Sequence, residues 1–89
     1  MRRAARVDAT QAEIVHALER SGCRVWNIRE PVDLLAMRAG RLYLIECKSR
    51  RGSLTSAQER FLAEGWPVSV CWSAEDALRA VAIDEEVGL

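Results

Sequence analysis

The stretch from Asp33 to Lys48 constrains this chain most. Leu34-Leu35-Ala36-Met37 and Leu42-Tyr43-Leu44-Ile45 are two short apolar runs separated by Arg38-Ala39-Gly40-Arg41. A glycine-containing break between such runs is the sequence signal of a β-hairpin. A turn centred between Ala39 and Gly40 sets Met37 opposite Leu42, Leu35 opposite Leu44 and Asp33 opposite Glu46. Directly opposed residues hold their Cβ atoms roughly 5 Å apart, so like charges placed there repel. Lys48, two residues past Glu46, points to the same face because strand side chains alternate. The hairpin therefore gathers two carboxylates and one ammonium at its open end, on a face otherwise made of leucines and a methionine. Ala39-Gly40 is not the Asn-Gly or Asp-Gly pair that a two-residue turn favours. A three-residue loop would slip the pairing by one and send Asp33 and Glu46 to opposite faces. The clustering register is preferred because it also brings Leu35, Met37, Leu42 and Leu44 together.

The rest of the chain reads as short elements around this hairpin. Residues 1–7 form a basic arm without periodicity, expected to be mobile. Asp8 opens a helix, with Gln11 completing a capping-box pattern. Ile14, Ala17 and Leu18 supply its buried face, and Ser21-Gly22 ends it. Cys23–Ile28 is a first strand, followed by Val32–Met37 and Leu42–Cys47 as the hairpin. Tyr43 and Ile45 oppose Leu42 and Leu44 across the third strand, so both sheet faces are expected to be covered. Thr55 or Ser56 caps a second helix with Phe61 and Leu62 inward, and Gly65 stops it. Pro67 leads into a fourth strand, Val68–Trp72, and Ser73 with Asp76 caps a last helix with Leu78, Val81 and Ala82 inward. The tail 84–89 is acidic and expected to be mobile. The order is α-β-β-β-α-β-α in a single domain spanning 1–89.

Composition narrows the chemistry. Formal net charge is zero, yet residues 1–60 carry twelve Arg/Lys against seven Asp/Glu, and residues 61–89 carry one against six. A basic surface can thus exist on a neutral protein, as phosphate binding requires; a solvated face plus an acidic tail is the plainer reading. The three cysteines, Cys23, Cys47 and Cys71, lack the paired spacing of a zinc site. They read as small buried hydrophobes in a reducing cytoplasm. No apolar run approaches the roughly 20 residues that span a bilayer, and no signal core follows the basic start. Trp26, Trp66 and Trp72 read mainly as core filling, with an exposed one a candidate dimer contact. Lys48 is the only lysine, against twelve arginines. Arginine cannot lose its proton, whereas a lysine amine is a compact donor whose pKa can be moved.

Asp33 and Glu46 facing each other need something to offset their repulsion. Mg²⁺ suits the position: it prefers oxygen ligands and binds through one or two carboxylates plus substrate phosphate. The backbone carbonyl of Cys47 could add a third oxygen. His16 stands alone, which argues against zinc. A metal there would acidify a water and neutralise charge building on a phosphodiester. Lys48 would orient that water or stabilise the transition state. Arg29, Arg50 and Arg51 are candidates to hold the nucleic-acid backbone. A structural ion pair between Lys48 and Glu46 is the competing reading. Glu13 is either a solvated neighbour of Arg20 or His16, or a third carboxylate leaning over the cluster. Gln58 is either a helix cap or a reach from the second helix to the carboxylates.

Pro31-Val32-Asp33, then Glu46-Cys47-Lys48, then Gln58 in the following helix resembles the PD-(D/E)XK nuclease superfamily. The α-β-β-β-α-β order resembles that superfamily's restriction-endonuclease-like core: a mixed four-stranded sheet flanked by helices, here with an extra C-terminal helix. Glu13, the short spacing and Leu54-Thr55-Ser56-Ala57-Gln58 resemble its VRR-NUC group. Val32 separates Pro31 from Asp33, whereas proline and aspartate are adjacent in the motif's name. The resemblance implies metal ligation (Mg²⁺ or Mn²⁺) by Asp33, Glu46 and the Cys47 carbonyl. It implies that Lys48 serves the attacking water, with Glu13 and Gln58 as accessory active-site residues. It further implies a DNA endonuclease working as a homodimer on four-way junctions, in the cytoplasm of a bacterium or phage-infected host. A module that binds nucleic acid without cutting is the alternative.

Overall fold

The structure is a computed structural model that describes the backbone of residues 2–49 and 52–88, and side chains over 9–49 and 52–81. Its elements are α1 (Arg2–Arg20), β1 (Arg24–Asn27), β2 (Leu34–Arg38), β3 (Arg41–Cys47), α2 (Ser56–Ala63), β4 (Val68–Cys71) and α3 (Ala74–Gly88). The strands form one mixed sheet in the order β1-β2-β3-β4. β1 and β3 both pair antiparallel with β2, and β4 joins β3 in parallel after the α2 crossover.

The hairpin takes the register that clusters the acids. Leu34 pairs with Ile45, Leu35 with Leu44 and Met37 with Leu42. Ala39 and Gly40 reach this two-residue turn by both adopting positive φ, 52° and 79°, the backbone of a primed turn. Gly40 does so without a steric cost, whereas Ala39 carries a Cβ into the left-handed region. Ala39→Asn should therefore stabilise the protein by roughly 0.5–1 kcal/mol, measured as a higher midpoint of chemical denaturation.

One sheet face carries the core. Leu34 and Ala36 of β2, Ile45 of β3 and Cys71 of β4 bury against Ile14 and Leu18 of α1 and Ala77 and Val81 of α3. Each large aliphatic side chain buried this way contributes roughly 1.5–3 kcal/mol. Cys23 and Cys71 are buried and Cys47 is half-buried, all as free thiols. Burial raises the Cys71 thiol to about 11. The opposite face is covered only at one end, because α2 spans a mere eight residues and fully buries none of them. Trp26, Met37 and Leu42 are left exposed at 73%, 46% and 64%, so the expectation that both faces are covered fails. The tryptophans are likewise surface residues: Trp66 and Trp72 stand 50% and 48% exposed. The buried core is built from aliphatic side chains and two cysteines, with no tryptophan among them.

Helix ends also differ from expectation. α1 begins at Arg2 rather than Asp8, because Ala4, Ala5 and the arginines are strong helix formers that extend the turn backward. Asp8 thus lies inside α1, and Gln11 instead donates from Nε2 to Oδ1 of Asn27 at 2.7 Å. α3 continues helical over 84–88, the stretch expected as a loose tail. Ala17 and Leu78 are half-buried and Ala77 is fully buried; the side chain of Ala82 lies outside those described. Both α2 and α3 have the expected caps: the Thr55–Gln58 capping box is complete, and the Asp76 N–H donates to Ser73 Oγ at 3.1 Å.

Candidate active site

Asp33, Glu46, Lys48 and Gln58 converge at the open end of the hairpin. Ile45 faces the core, so alternation sends Glu46 to the other face, toward α2. Glu46 is nevertheless only 2% exposed, and its carboxylate is held from three sides. The Asp33 N–H donates to Oε1 at 3.1 Å. Gln58 Nε2 donates to Oε2 at 2.6 Å, and Lys48 Nζ lies 3.3 Å from the same oxygen. Asp33 Oδ2 accepts the Cys47 N–H at 2.8 Å. The two acids are thus laced together through each other's strand, which fixes their spacing better than cross-strand pairing alone.

Gln58 performs both roles open to it. Its Oε1 accepts from the Thr55 N–H at 3.0 Å, closing the cap, and from Lys48 Nζ at 3.2 Å. Its Nε2 reaches Glu46. The start of α2 is therefore locked to the acid–lysine pair by one amide. Lys48 Nζ also donates to the Ser53 carbonyl at 2.9 Å, so a single ammonium ties the loop after β3 to the site.

Burial raises the Glu46 pKa above its ordinary value; the negative Asp33 carboxylate adds to this, while Lys48 and the Asp33 N–H partly oppose it. A carboxyl whose folded pKa is raised stabilises the fold when protonated, and that contribution disappears as pH rises through the folded value. Metal-free protein should therefore lose stability as pH climbs above the ordinary 4.5 of this group. A divalent cation should blunt the loss by offsetting the two charges. Melting temperatures between about pH 4 and 8, with and without Mg²⁺, check this; a flat metal-free profile rejects it.

The donor set fits a hard cation. Two carboxylates stand together, one on β3 and one just before β2, and among the described residues Lys48 is the cation set against them. Lys48 N–H donates across to the Cys71 carbonyl of β4 at 2.9 Å. The N–H of Cys47 faces the other way, toward Asp33, and in a strand the carbonyl of a residue points to the same side as its own N–H. By that rule the Cys47 carbonyl is directed to the Asp33 side, where it could add a third oxygen. Among the described residues there is no group of three or more His, Cys, Asp or Glu side chains that could by itself hold a metal ion. Oxygen ligands completed by water and phosphate suit Mg²⁺ or Mn²⁺.

The remaining candidates lie around this centre. Arg29, at φ 73°, lines a cleft of about 500 Å³ with Glu30, Pro31, Thr55, Ala57 and Gln58. The cleft opens beside the network because Gln58 belongs to both. Glu13 is exposed on α1, and no contact among the described residues joins it to Asp33, Glu46 or Lys48. Arg50 and Arg51 lie outside the described residues. His16 is exposed, as its isolation suggested. The Ser53 carbonyl and the Asp33 main-chain N–H are contributors that sequence reasoning missed; the hint for Asp33 lay in the hairpin register, and for Ser53 in its place five residues after Lys48.

No protein-family model, no curated protein and no solved structure matches the chain. Among the described residues no helix is long and apolar enough to cross a membrane.

Proposed function

We propose that this chain is a Mg²⁺- or Mn²⁺-dependent DNA endonuclease with a PD-(D/E)XK-type site, closest in pattern to the VRR-NUC group. The observation that carries the reading is the four-residue network: Asp33 and Glu46 laced together, Lys48 3.3 Å from Glu46, and Gln58 bound to both Glu46 and Lys48. The α-β-β-β-α-β order with an antiparallel, antiparallel, parallel sheet supports a restriction-endonuclease-like core.

In this reading Asp33, Glu46 and the Cys47 carbonyl hold the metal, which when bound lowers the pKa of water and offsets charge on the phosphate. Lys48 supplies a fixed positive charge beside the attacking water and the developing phosphoryl charge. The water oxygen bonds to phosphorus as one of the two ester P–O bonds breaks, and a proton from the water ends on the departing sugar oxygen, leaving a phosphate monoester and a hydroxyl. Gln58 keeps Lys48 and Glu46 in position. Arg29 sits where a flanking phosphate can pass through the cleft, and Glu13, Arg50 and Arg51 are assigned supporting roles by pattern alone.

The test is a panel of labelled four-way junction, flap, duplex and single-stranded DNA incubated with Mg²⁺, Mn²⁺ or EDTA. Metal-dependent products on any substrate support hydrolysis, and a preference for the junction supports a resolvase-like role. Binding without product under every metal condition favours a non-cleaving nucleic-acid module.

The homodimer is part of the same proposal. A chain of 89 residues offers little surface to grip a duplex, and two-fold pairing would supply two cutting centres. Its support is the uncovered sheet face, where Trp26, Met37 and Leu42 form an apolar surface exposed to solvent. Leu42→Lys should convert the dimer to a folded monomer in analytical ultracentrifugation. A parent protein that sediments as a monomer at the highest soluble concentration removes the dimer.

A further inference from the structure

Trp72 is exposed beside the candidate active site. The parallel register pairs Cys47 with Cys71, and the Lys48 N–H bonds the Cys71 carbonyl, so Trp72 is the neighbour of Lys48 one strand across. Cys71 belongs to the buried core face. Trp72 follows directly after the last residue of β4, and continuing the strand's alternation one residue past its end puts it on the opposite face, the one carrying Glu46. Adjacent strands run about 4.8 Å apart, so the backbones of Trp72 and Lys48 are neighbours.

About half of the indole surface is open to solvent, Trp72 being 48% exposed. The ring contact among the described residues is Phe61 on Trp66, centroids 5.0 Å apart and nearly parallel at 4°, and Trp72 has no part in it. Its backbone, by contrast, is pinned: the Trp72 N–H donates to Asp76 Oδ2 at 2.8 Å, and Asp76 is held by the Ser73 cap and by Arg79 at 3.3 Å. A rigid mount leaves only two side-chain torsions to be frozen on binding, which is the low-entropy arrangement that favours aromatic recognition. The other tryptophans lack this placement. Trp66 is occupied by Phe61 and by the Glu64 carboxylate. Trp26 sits in the row of Leu35 and Leu44, four residues back along β3 from Lys48 and two strands across, roughly 16 Å away.

We infer that Trp72 is a stacking platform for the nucleobase next to the phosphodiester held at Asp33, Glu46 and Lys48, and so selects DNA with an unpaired base at the cut. This rests on the nuclease reading for its substrate. In an intact duplex both faces of each base are covered by neighbours, so an indole gains a face only where a base is unpaired or splayed, as in single strands, flaps and branch points. Specificity for unpaired structure thereby arises without base-edge hydrogen bonds.

The experiment measures binding of a short labelled single-stranded DNA and of its duplex, in EDTA, to the parent and to Trp72→Ala, Trp72→Leu and Trp72→Phe, each first shown to be folded by circular dichroism. Cleavage of the same strands with Mg²⁺ is followed in parallel. Single-strand affinity should fall roughly ten-fold or more in the Ala and Leu variants and stay within about three-fold for Phe. Duplex affinity should change little. If Trp72→Leu binds the single strand as tightly as the parent while the parent cleaves DNA, the platform is wrong and the nuclease reading stands. If Trp72→Ala weakens single-strand binding but the parent never cuts, the platform stands and hydrolysis falls. A parent that binds no DNA overturns both. A Trp72→Ala variant that changes sedimentation, with DNA affinity intact, makes the residue a protein contact instead.

Discussion

Lys48→Met should slow metal-dependent DNA hydrolysis roughly 10²–10³-fold while leaving DNA affinity within a few-fold. Methionine keeps most of the length and apolar stem of the side chain, so the loss isolates the ammonium. That ammonium lies 3.3 Å from Glu46 and is aimed by Gln58 and the Ser53 carbonyl. In the proposed hydrolysis, that fixed position would serve a transition state whose charge is larger than the substrate's. The substitution also removes the cation that partly holds down the Glu46 pKa, so metal-free protein should shift further toward protonated Glu46. A bound divalent cation reverses this, since it supplies the missing positive charge at the same carboxylate. Single-turnover rates at saturating protein separate the chemical step from binding. A rate within about three-fold of the parent returns Lys48 to the role of a structural ion pair.

Asp33→Asn should abolish metal-dependent cutting and, without metal, raise rather than lower stability. Asparagine retains an oxygen that can accept the Cys47 N–H now bound at 2.8 Å, so the local backbone has no reason to move. What disappears is the negative charge facing Glu46, one of the two causes that raise the Glu46 pKa. Relief of a directly opposed like-charge pair is worth up to about 1 kcal/mol. The metal loses one of its two carboxylates and with it most of its affinity. The joint signature is diagnostic: activity gone, metal-free melting temperature up, and no further rise on adding Mg²⁺. A purely structural role for Asp33 predicts the opposite sign for stability.

The hairpin was legible because its two faces differ. Leu35, Met37, Leu42 and Leu44 share one face only in the register that also joins Asp33 to Glu46, and that is the register formed. The element order was legible from caps and glycine breaks, with Thr55–Gln58 the plainest. Burial was less so. Pattern alone marks Leu42 and Trp26 as apolar but cannot say that α2 is too short to cover them. The start of α1 was missed because a capping box at Asp8 and Gln11 competes with the helix propensity of the preceding alanines and arginines, and propensity wins. At the site, residue types and spacing pointed to Asp33, Glu46, Lys48 and Gln58. The lacing that holds them, with each acid's strand bonding the other's carboxylate, involves main-chain N–H groups that no residue type announces. Glu13 illustrates the limit: one helix position beside an apolar stripe does not fix which way a carboxylate leans.

The central claim is that Asp33 and Glu46 are held as neighbours in order to share one hard cation beside Lys48. Calorimetric titration of Mn²⁺ into the metal-free parent and into Asp33→Asn, in the same buffer near neutral pH, tests it most directly. The account predicts saturable binding to the parent and its loss in Asp33→Asn. Binding of equal affinity and stoichiometry in both proteins, or none in the parent, would contradict it.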